Sequence, residues 1–321
     1  MSSRFPFTAN PIGWFMVAYS DELKPAGVMP LHYFGRELVL FRGQDGVARV
    51  LDAHCPHLGA HLGHGGCVVE NNITCPFHGW RFDGTGSCVG IPYAKKIPPA
   101  AMLRRWPVCE RNGMLFVHHA PDESYAPTWE IPALAEHESQ AWTAYTRRRW
   151  RVRTNVHEIV ENAFDVAHFC FVHGAVRLPE SKVTMNGPLF QVNSRTAFDT
   201  PAGVMEGDLD IDTFGFGMFT ARYRGLLEAM IIATLTPMDD EFVDVRFTFT
   251  VKRLPDEAAT AFVAQQFIED ACRQLEQDIA VWEHKKFLAR PLLCEGDGPI
   301  GLFRKWARQF YPVATLRARA I

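Results

Sequence analysis

Four residues in one short stretch carry the most specific chemistry of the 321-residue chain. The segment CPHLGAHLGHGGCVVENNITCPFHGW places Cys55 and His57 on one arm, Cys75 and His78 on another. Each arm offers one thiolate and one imidazole. A Cys₂His₂ zinc site usually keeps its two cysteines on one arm and its two histidines on the other. A [2Fe–2S] cluster in which one iron takes two Cys and the other two His needs the mixture, because each loop then reaches both irons. Cys55, His57, Cys75 and His78 are therefore read as ligands of such a cluster, with zinc as the alternative. The proline after each Cys presets a turn, and the glycines at 59, 63, 65, 66 and 79 suit tight loops whose amides face sulfur. His54, His61, His64, Cys67 and Cys88 complete no further pair at ligand spacing and are expected to fill loops.

A one-electron centre of this Rieske type needs somewhere to deliver electrons. The segment NVHEIVENAFDVAHFCFVHG has helical periodicity, stops at Gly174, and carries Glu161, Asn162, Asp165, His168 and His173. Read as one helix, it sets Glu161, Asp165 and His168 on a common face. His168 and His173 would point about 140° apart, so they converge only if the helix ends or distorts between them. A polar helix face with a capping histidine is the plain alternative. Two His and one carboxylate, with positions left open for substrate and O₂, make the facial triad of non-haem iron(II) oxygenases. Asp278 is the candidate third ligand. Phe267, Ala271, Leu275, Asp278 and Trp282 recur at helical spacing, and Asp278 is the one charge on that apolar stripe. A buried carboxylate must be paired or bound to metal, so the competing reading is a salt bridge to an arginine. Glu276 and Glu283 fall off the stripe and are expected to face solvent.

The surrounding elements must position these groups. Residues 14–118 read as short strands and turns, including the hairpin ELVLFRGQDGVARVLD that leads into the first Cys/His arm. A Pro-rich polar stretch at 118–135 marks a boundary, which divides the chain into a cluster domain, 1–125, and a catalytic domain, 126–321. Residues 187–254 are strand-like again, and one long helix is expected from Pro255 to about Leu288. The fold class is α+β: an antiparallel β cluster domain, then a curved antiparallel sheet packed by helices in a helix-grip-like arrangement around an apolar pocket.

The composition, 47% hydrophobic and 21% charged with net charge −3, suits full globular cores and gives no sign of nucleic-acid or anionic-membrane binding. No apolar run approaches membrane-helix length, and the N-terminus lacks the apolar core of an export signal. With no such signal, eight cysteines read as ligands and reduced thiols of a cytoplasmic protein. No dinucleotide-binding fingerprint follows a strand, so electrons are expected from outside the chain.

These motifs together resemble the α subunits of Rieske non-haem iron oxygenases over nearly the whole chain. Cys55, His57, Cys75 and His78 match the cluster ligands, Asp165-x-x-His168-x₄-His173 the mononuclear iron motif, and Asp278 the carboxylate ligand. Respiratory-type Rieske proteins carry an additional Cys in each loop, at the positions of Ala60 and Phe77 here. The stretches AHCPHLGAHL, CPFHGWRFDGTGSC and IPYAKKIP are similar to the cholesterol 7-desaturase group. RPLLCEGDGPIGLFRKWARQFY is similar to the oxygenase of 3-ketosteroid 9α-hydroxylase. The resemblance implies a Rieske [2Fe–2S] cluster, a mononuclear Fe(II), and an NAD(P)H-dependent reductase with or without a ferredoxin. It also implies a head-to-tail homotrimer. Asp165, one turn before His168, is then expected to accept through its carboxylate from the second ring nitrogen of His168 and from the neighbour's His78, giving electrons a route between subunits; an ordinary Asp that only orients His168 is the alternative. The implied reaction hydroxylates or desaturates an apolar, steroid-like substrate. The same chemistry on an aromatic or methyl-ether substrate is one alternative; a Rieske electron carrier with a non-catalytic binding domain is another.

Overall fold

The computed structural model of the chain describes residues 4, 5, 7, 9–176, 178, 180–200, 203–225 and 227–312. It divides into two compact units. One holds residues 14–133 with 238–240. The other holds the described residues before 14, from 134 to 237, and after 240.

The first unit is built from short strands: β1 (Gly13–Tyr19), β2 (Val28–Tyr33), β3 (Arg36–Arg42), β4 (Ala48–Asp52), β5 (Cys67–Val69), β6 (Asn72–Thr74), β7 (Arg81–Phe82), β8 (Cys88–Gly90), β9 (Arg105–Trp106), β10 (Val108–Arg111) and β11 (Met114–His119). They form sheets in the orders β1-β11-β10, β2-β3-β4-β9 and β5-β6-β7-β8. The β3–β4 hairpin turns where Asp45-Gly46 predicts, with Gly46 at φ +79° and its N–H bonded to the Gly43 carbonyl at 3.1 Å. Its apolar positions Val39, Phe41 and Leu51 are fully buried and share a core with Leu62, Ile73, Phe82, Leu103 and the two arm cysteines.

The second unit carries α1 (Ala135–Glu138), β12 (Thr146–Val152), α2 (Val156–Asn162), α3 (His168–Phe171), β13 (Glu180–Asn186), β14 (Leu189–Thr200), β15 (Gly203–Phe214), β16 (Met218–Arg224), β17 (Ala229–Pro237), β18 (Val243–Val251), α4 (Glu257–Trp282) and α5 (Ile300–Ala307). Its strands make one antiparallel seven-stranded sheet, ordered β12-β18-β17-β16-β15-β14-β13. Register aligns Leu209 with Tyr223 and Tyr223 with Ala229, and one row on aligns Ile211, Ala221, Ile231 and Phe249. Because side chains alternate across a strand, these rows share a face. That face meets the α4 stripe: Ala271, Leu275 and Trp282 are buried, as the spacing predicts. The expected α+β class and helix-on-curved-sheet arrangement are therefore present.

Two helices differ from expectation. The run ending at Gly174 is not one helix but two, α2 and α3, separated at residues 163–167. Asp165 explains the break: its Oδ1 accepts from the N–H groups of Ala167 at 3.2 Å and His168 at 3.4 Å, competing with the helical carbonyls. The long helix stops at Trp282, short of Leu288. Arg4 takes the carbonyls of Trp282, Glu283 and Lys285 at 2.7, 2.6 and 3.2 Å, satisfying groups that any helix end leaves unpaired.

Candidate metal centres

In the first unit the two arms adopt the same loop. The Cys55 carbonyl accepts from Gly59 N–H at 2.9 Å, and the Cys75 carbonyl accepts from Gly79 N–H at 3.1 Å. Cys55 N–H donates to the Ala60 carbonyl and Cys75 N–H to the Trp80 carbonyl, at 2.9 and 2.7 Å. Gly59 and Gly79 sit at φ +74° and +71°, the left-handed region that a β-carbon disfavours.

Cys55 and Cys75 are buried, and neither is in a disulfide. Burial pushes the Cys55 thiol up to about 11, with the nearby Cys75 adding to the shift. The rings of His57 and His78 lie 4.7 Å apart. Nδ1 of His78 is buried with no hydrogen-bond partner, an orphan that a metal would satisfy. Trp80 stacks on His57 at 4.7 Å with 7° between planes and donates its indole N–H to the Tyr93 hydroxyl at 2.8 Å. Two buried thiols and two converging imidazoles fit a mixed-ligand cluster. Among the other candidates, Cys88 is buried in β8 and donates weakly to the Gly90 carbonyl, while Cys67 is exposed.

In the second unit His168, His173 and Asp278 converge, with their ligand atoms all within 4.8 Å of one another. Nε2 of His173 is 3.3 Å, and Nε2 of His168 3.9 Å, from Asp278 Oδ1. The break after α2 makes this possible, since a continuous helix would splay the two imidazoles. Each Nδ1 is turned away and engaged. His168 Nδ1–H donates to the Asp165 carbonyl, and His173 Nδ1–H to Gln277 Oε1 at 3.1 Å. This fixes the tautomer that leaves both Nε2 lone pairs facing Asp278. Asn162 Nδ2 lies 3.1 Å from His168 Nε2 and 3.2 Å from Asp278 Oδ2. Burial lowers the His168 imidazole below its usual range. It acts the same way on His173, but the Asp278 carboxylate prevails and holds that ring above its ordinary value. Two neutral-capable imidazoles and one carboxylate, with no arginine paired to Asp278 among the described residues, fit a divalent iron.

Two expectations need correction. The group on His168 Nδ1 is the backbone carbonyl of Asp165, not its carboxylate, because the carboxylate is occupied capping the α3 turn. Glu161 does not share the face of His168. It is buried, and Arg304 of α5 grips it through Nε at 2.5 Å and Nη2 at 2.8 Å. Burial alone would raise its carboxyl; the Arg304 fork and His157 overcome this and hold it down to about 2. Asn162 and Gln277 were not assigned from sequence. An Asn ending a helix reads as a cap, and a Gln beside Asp278 carries no periodic signal.

The metal-facing cavity runs between sheet and helix. Its inner end is lined by Ile159, Phe219, Ile231, Phe247 and Leu275 together with the three candidate ligands and encloses about 100 Å³. It continues into an outer chamber of about 390 Å³ reaching Val192, Gly207, Leu227 and Phe267. Mostly apolar walls with a few placed polar groups are the usual build of a small-molecule site.

Comparison with known proteins agrees with this geometry. Residues 13–107 match the Rieske [2Fe-2S] domain family, and residues 117–311 match the 3-ketosteroid 9alpha-hydroxylase C-terminal domain family. The chain is 30% identical to cholesterol 7-desaturase nvd of Xenopus laevis, over 94% of this chain and 72% of that protein. It is 32% identical to a 3-ketosteroid-9-alpha-monooxygenase oxygenase component of Rhodococcus rhodochrous, over 93% of this chain and 79% of that protein. Among solved structures, dicamba monooxygenase bound to dicamba aligns at a TM-score of 0.75 and 20% identity, covering 96% of this chain and 98% of that one. NdmB of Pseudomonas putida CBB5 aligns at 0.75 and 21%, covering 92% and 89%; both share the fold. A mixed Cys/His cluster domain joined to a two-histidine, one-carboxylate domain of this descent places the chain among the Rieske non-haem iron oxygenases, as an enzyme that carries a Rieske [2Fe–2S] cluster and a mononuclear iron.

Proposed function

We propose that this chain is the terminal oxygenase for a bulky apolar substrate of steroid type, acting by hydroxylation or desaturation. The observation that carries the reading is the apolar two-part cavity opening onto His168, His173 and Asp278. Its two steroid-acting relatives point the same way. The balance of hydroxylation is R–H plus O₂, two electrons and two protons to R–OH plus water. Desaturation consumes the same oxidant and electrons and yields an alkene and two waters.

The bound iron supplies O₂ activation, and the cluster supplies single electrons from a separate reductase. The chain's own residues do the rest. His168, His173 and Asp278 would hold the iron at the inner end of the cavity. Asp165 and Gln277 keep both imidazoles in the binding tautomer. Asn162 donates to the outer oxygen of Asp278 and so restrains that carboxylate. Ile231, Phe247, Phe219 and Leu275 exclude water from the inner end.

The quaternary reading is a head-to-tail homotrimer in the cytoplasm, with Asp165 taking His168 of its own subunit through the backbone carbonyl and His78 of the next subunit through its carboxylate. It is supported by the Asp165 carboxylate, whose Oδ2 makes no hydrogen bond among the described residues. No helix among the described residues is long and apolar enough to cross a membrane. The experiment that tests the function is product analysis by mass spectrometry with a surrogate reductase, NADH and a panel of steroids and methoxybenzoates. A hydroxylated or dehydrogenated steroid is the expected product. Turnover of the aromatic ethers with no steroid product would overturn the reading.

A further inference from the structure

Among the described residues the inner cavity has few polar side chains, and two of them, Trp282 and Tyr223, have no side-chain hydrogen-bond partner; Trp282 lies one turn beyond Asp278 on α4, at the metal end. Asn162, His168, His173 and Asp278 belong to the metal set. Gln274 donates its amide to Asp270 Oδ2 at 2.6 Å. Tyr223 remains. It lines both the inner end and the outer chamber, and its hydroxyl has no hydrogen-bond partner among the described residues. The strand dictates its direction: Phe219, Ala221 and Tyr223 alternate onto the cavity face, while Arg222 turns away to Glu136 and Asp212. Its ring is fixed edge-on against Phe267 at 5.1 Å. Burial pushes the phenol up to about 12, with Asp270 adding to the shift, so the group stays a neutral donor at any physiological pH.

Position matters as much as chemistry. Asp270 and Phe267 precede Asp278 by eight and eleven residues on α4. At 1.5 Å per residue they stand about 12 and 16 Å up the helix from the metal ligand. Tyr223 is therefore a lone donor at the end of the cavity away from the iron. A hydroxyl without a partner in such an apolar setting is satisfied by an acceptor on the ligand. Both arginines at the outer chamber are already held, Arg273 by Asp270 and Arg224 by Asp210, and the remaining charge there, Asp208, is itself anionic. Nothing there is left over to bind an anionic group.

We propose that Tyr223 is a specificity-determining residue that donates a hydrogen bond to a carbonyl or hydroxyl oxygen at the distal end of a neutral, apolar substrate. It thereby selects oxygenated ring systems and sets how far they reach toward the iron. This rests on the steroid reading above and adds the polar anchor to it.

The test is equilibrium dialysis on holoprotein, with Tyr223→Phe beside the unaltered chain. The ligands are a neutral steroid ketone, androst-4-ene-3,17-dione, and the matching hydrocarbon, androst-4-ene. The Phe ring keeps the packing on Phe267. The ketone is expected to bind the variant roughly five- to tenfold more weakly, as one neutral hydrogen bond allows, with hydrocarbon binding unchanged. Equal weakening of both ligands, or of neither, would overturn the role of Tyr223 alone. Failure of the unaltered protein to bind either steroid would overturn the steroid reading and this inference with it.

Discussion

Glu161 and Arg304 give the sharpest stability prediction. Their fork ties α5 to α2, the helix that ends in Asn162 beside the metal ligands. The Glu161 carboxyl is held at about 2 against a reference of 4.5. At 1.36 kcal/mol per unit, this corresponds to about 3 kcal/mol of folding stability at neutral pH. Because the folded value is depressed, the contribution is complete above the unfolded value. It is lost as pH falls from about 4.5 toward 2. Glu161→Gln leaves the Arg304 guanidinium, 12% exposed, with no carboxylate, which fits the 3–5 kcal/mol typical of breaking a buried pair. The assay is urea unfolding of the full chain, followed by tryptophan fluorescence, to which Trp142, Trp150, Trp282 and Trp306 of the catalytic unit contribute, for the unaltered chain and Glu161→Gln between pH 8 and 3.5. A gap of about 3 kcal/mol should hold from pH 8 to 5 and narrow below. A gap under about 1 kcal/mol at pH 7, or one independent of pH, would refute the reasoning. The double variant Glu161→Gln/Arg304→Met should recover much of the loss, since it removes the stranded charge.

Three further outcomes follow from particular contacts. Gly79→Ala forces a side chain into φ +71°, with Pro92 Cγ 3.0 Å from the new β-carbon; at about 1–2 kcal/mol for the backbone alone, it should lower cluster absorbance per protein, and undiminished absorbance would contradict the loop geometry. Asp165→Asn keeps the backbone carbonyl that orients His168, so iron content should stay high while a pre-reduced cluster fails to oxidise on adding substrate and O₂. Rapid oxidation in that variant would exclude the inter-subunit role. Leu275→Ala removes a buried side chain from the inner cavity and should cost about 2–5 kcal/mol, read as a lower midpoint in the same urea experiment; an unchanged midpoint would mean that α4 is not packed as described.

The cluster arms were legible because their chemistry is local: two short loops each supply both ligand types, and turn-forming residues flank them. Asp278 was legible for a different reason. One charge on an apolar helical stripe is costly unless something binds it, and periodicity alone exposes it. The region around His168 was harder. Helical periodicity runs through residues 163–167, and only the competition of the Asp165 side chain for backbone N–H groups ends α2 there. Glu161 looked like a partner of His168 because its true partner, Arg304, lies 143 residues away in sequence. Asn162, Gln277 and Tyr223 depend on the same long-range packing, which places them at the cavity without leaving a spacing pattern.

The central claim is that His168, His173 and Asp278 hold an iron separate from the cluster. Iron counting on Asp278→Ala, alongside its visible spectrum, tests it most directly. The unaltered chain should carry three irons, two in the cluster and one in the catalytic unit. The variant should keep the Rieske spectrum, carry two, and give no product. Three irons with full turnover in the variant would contradict the account.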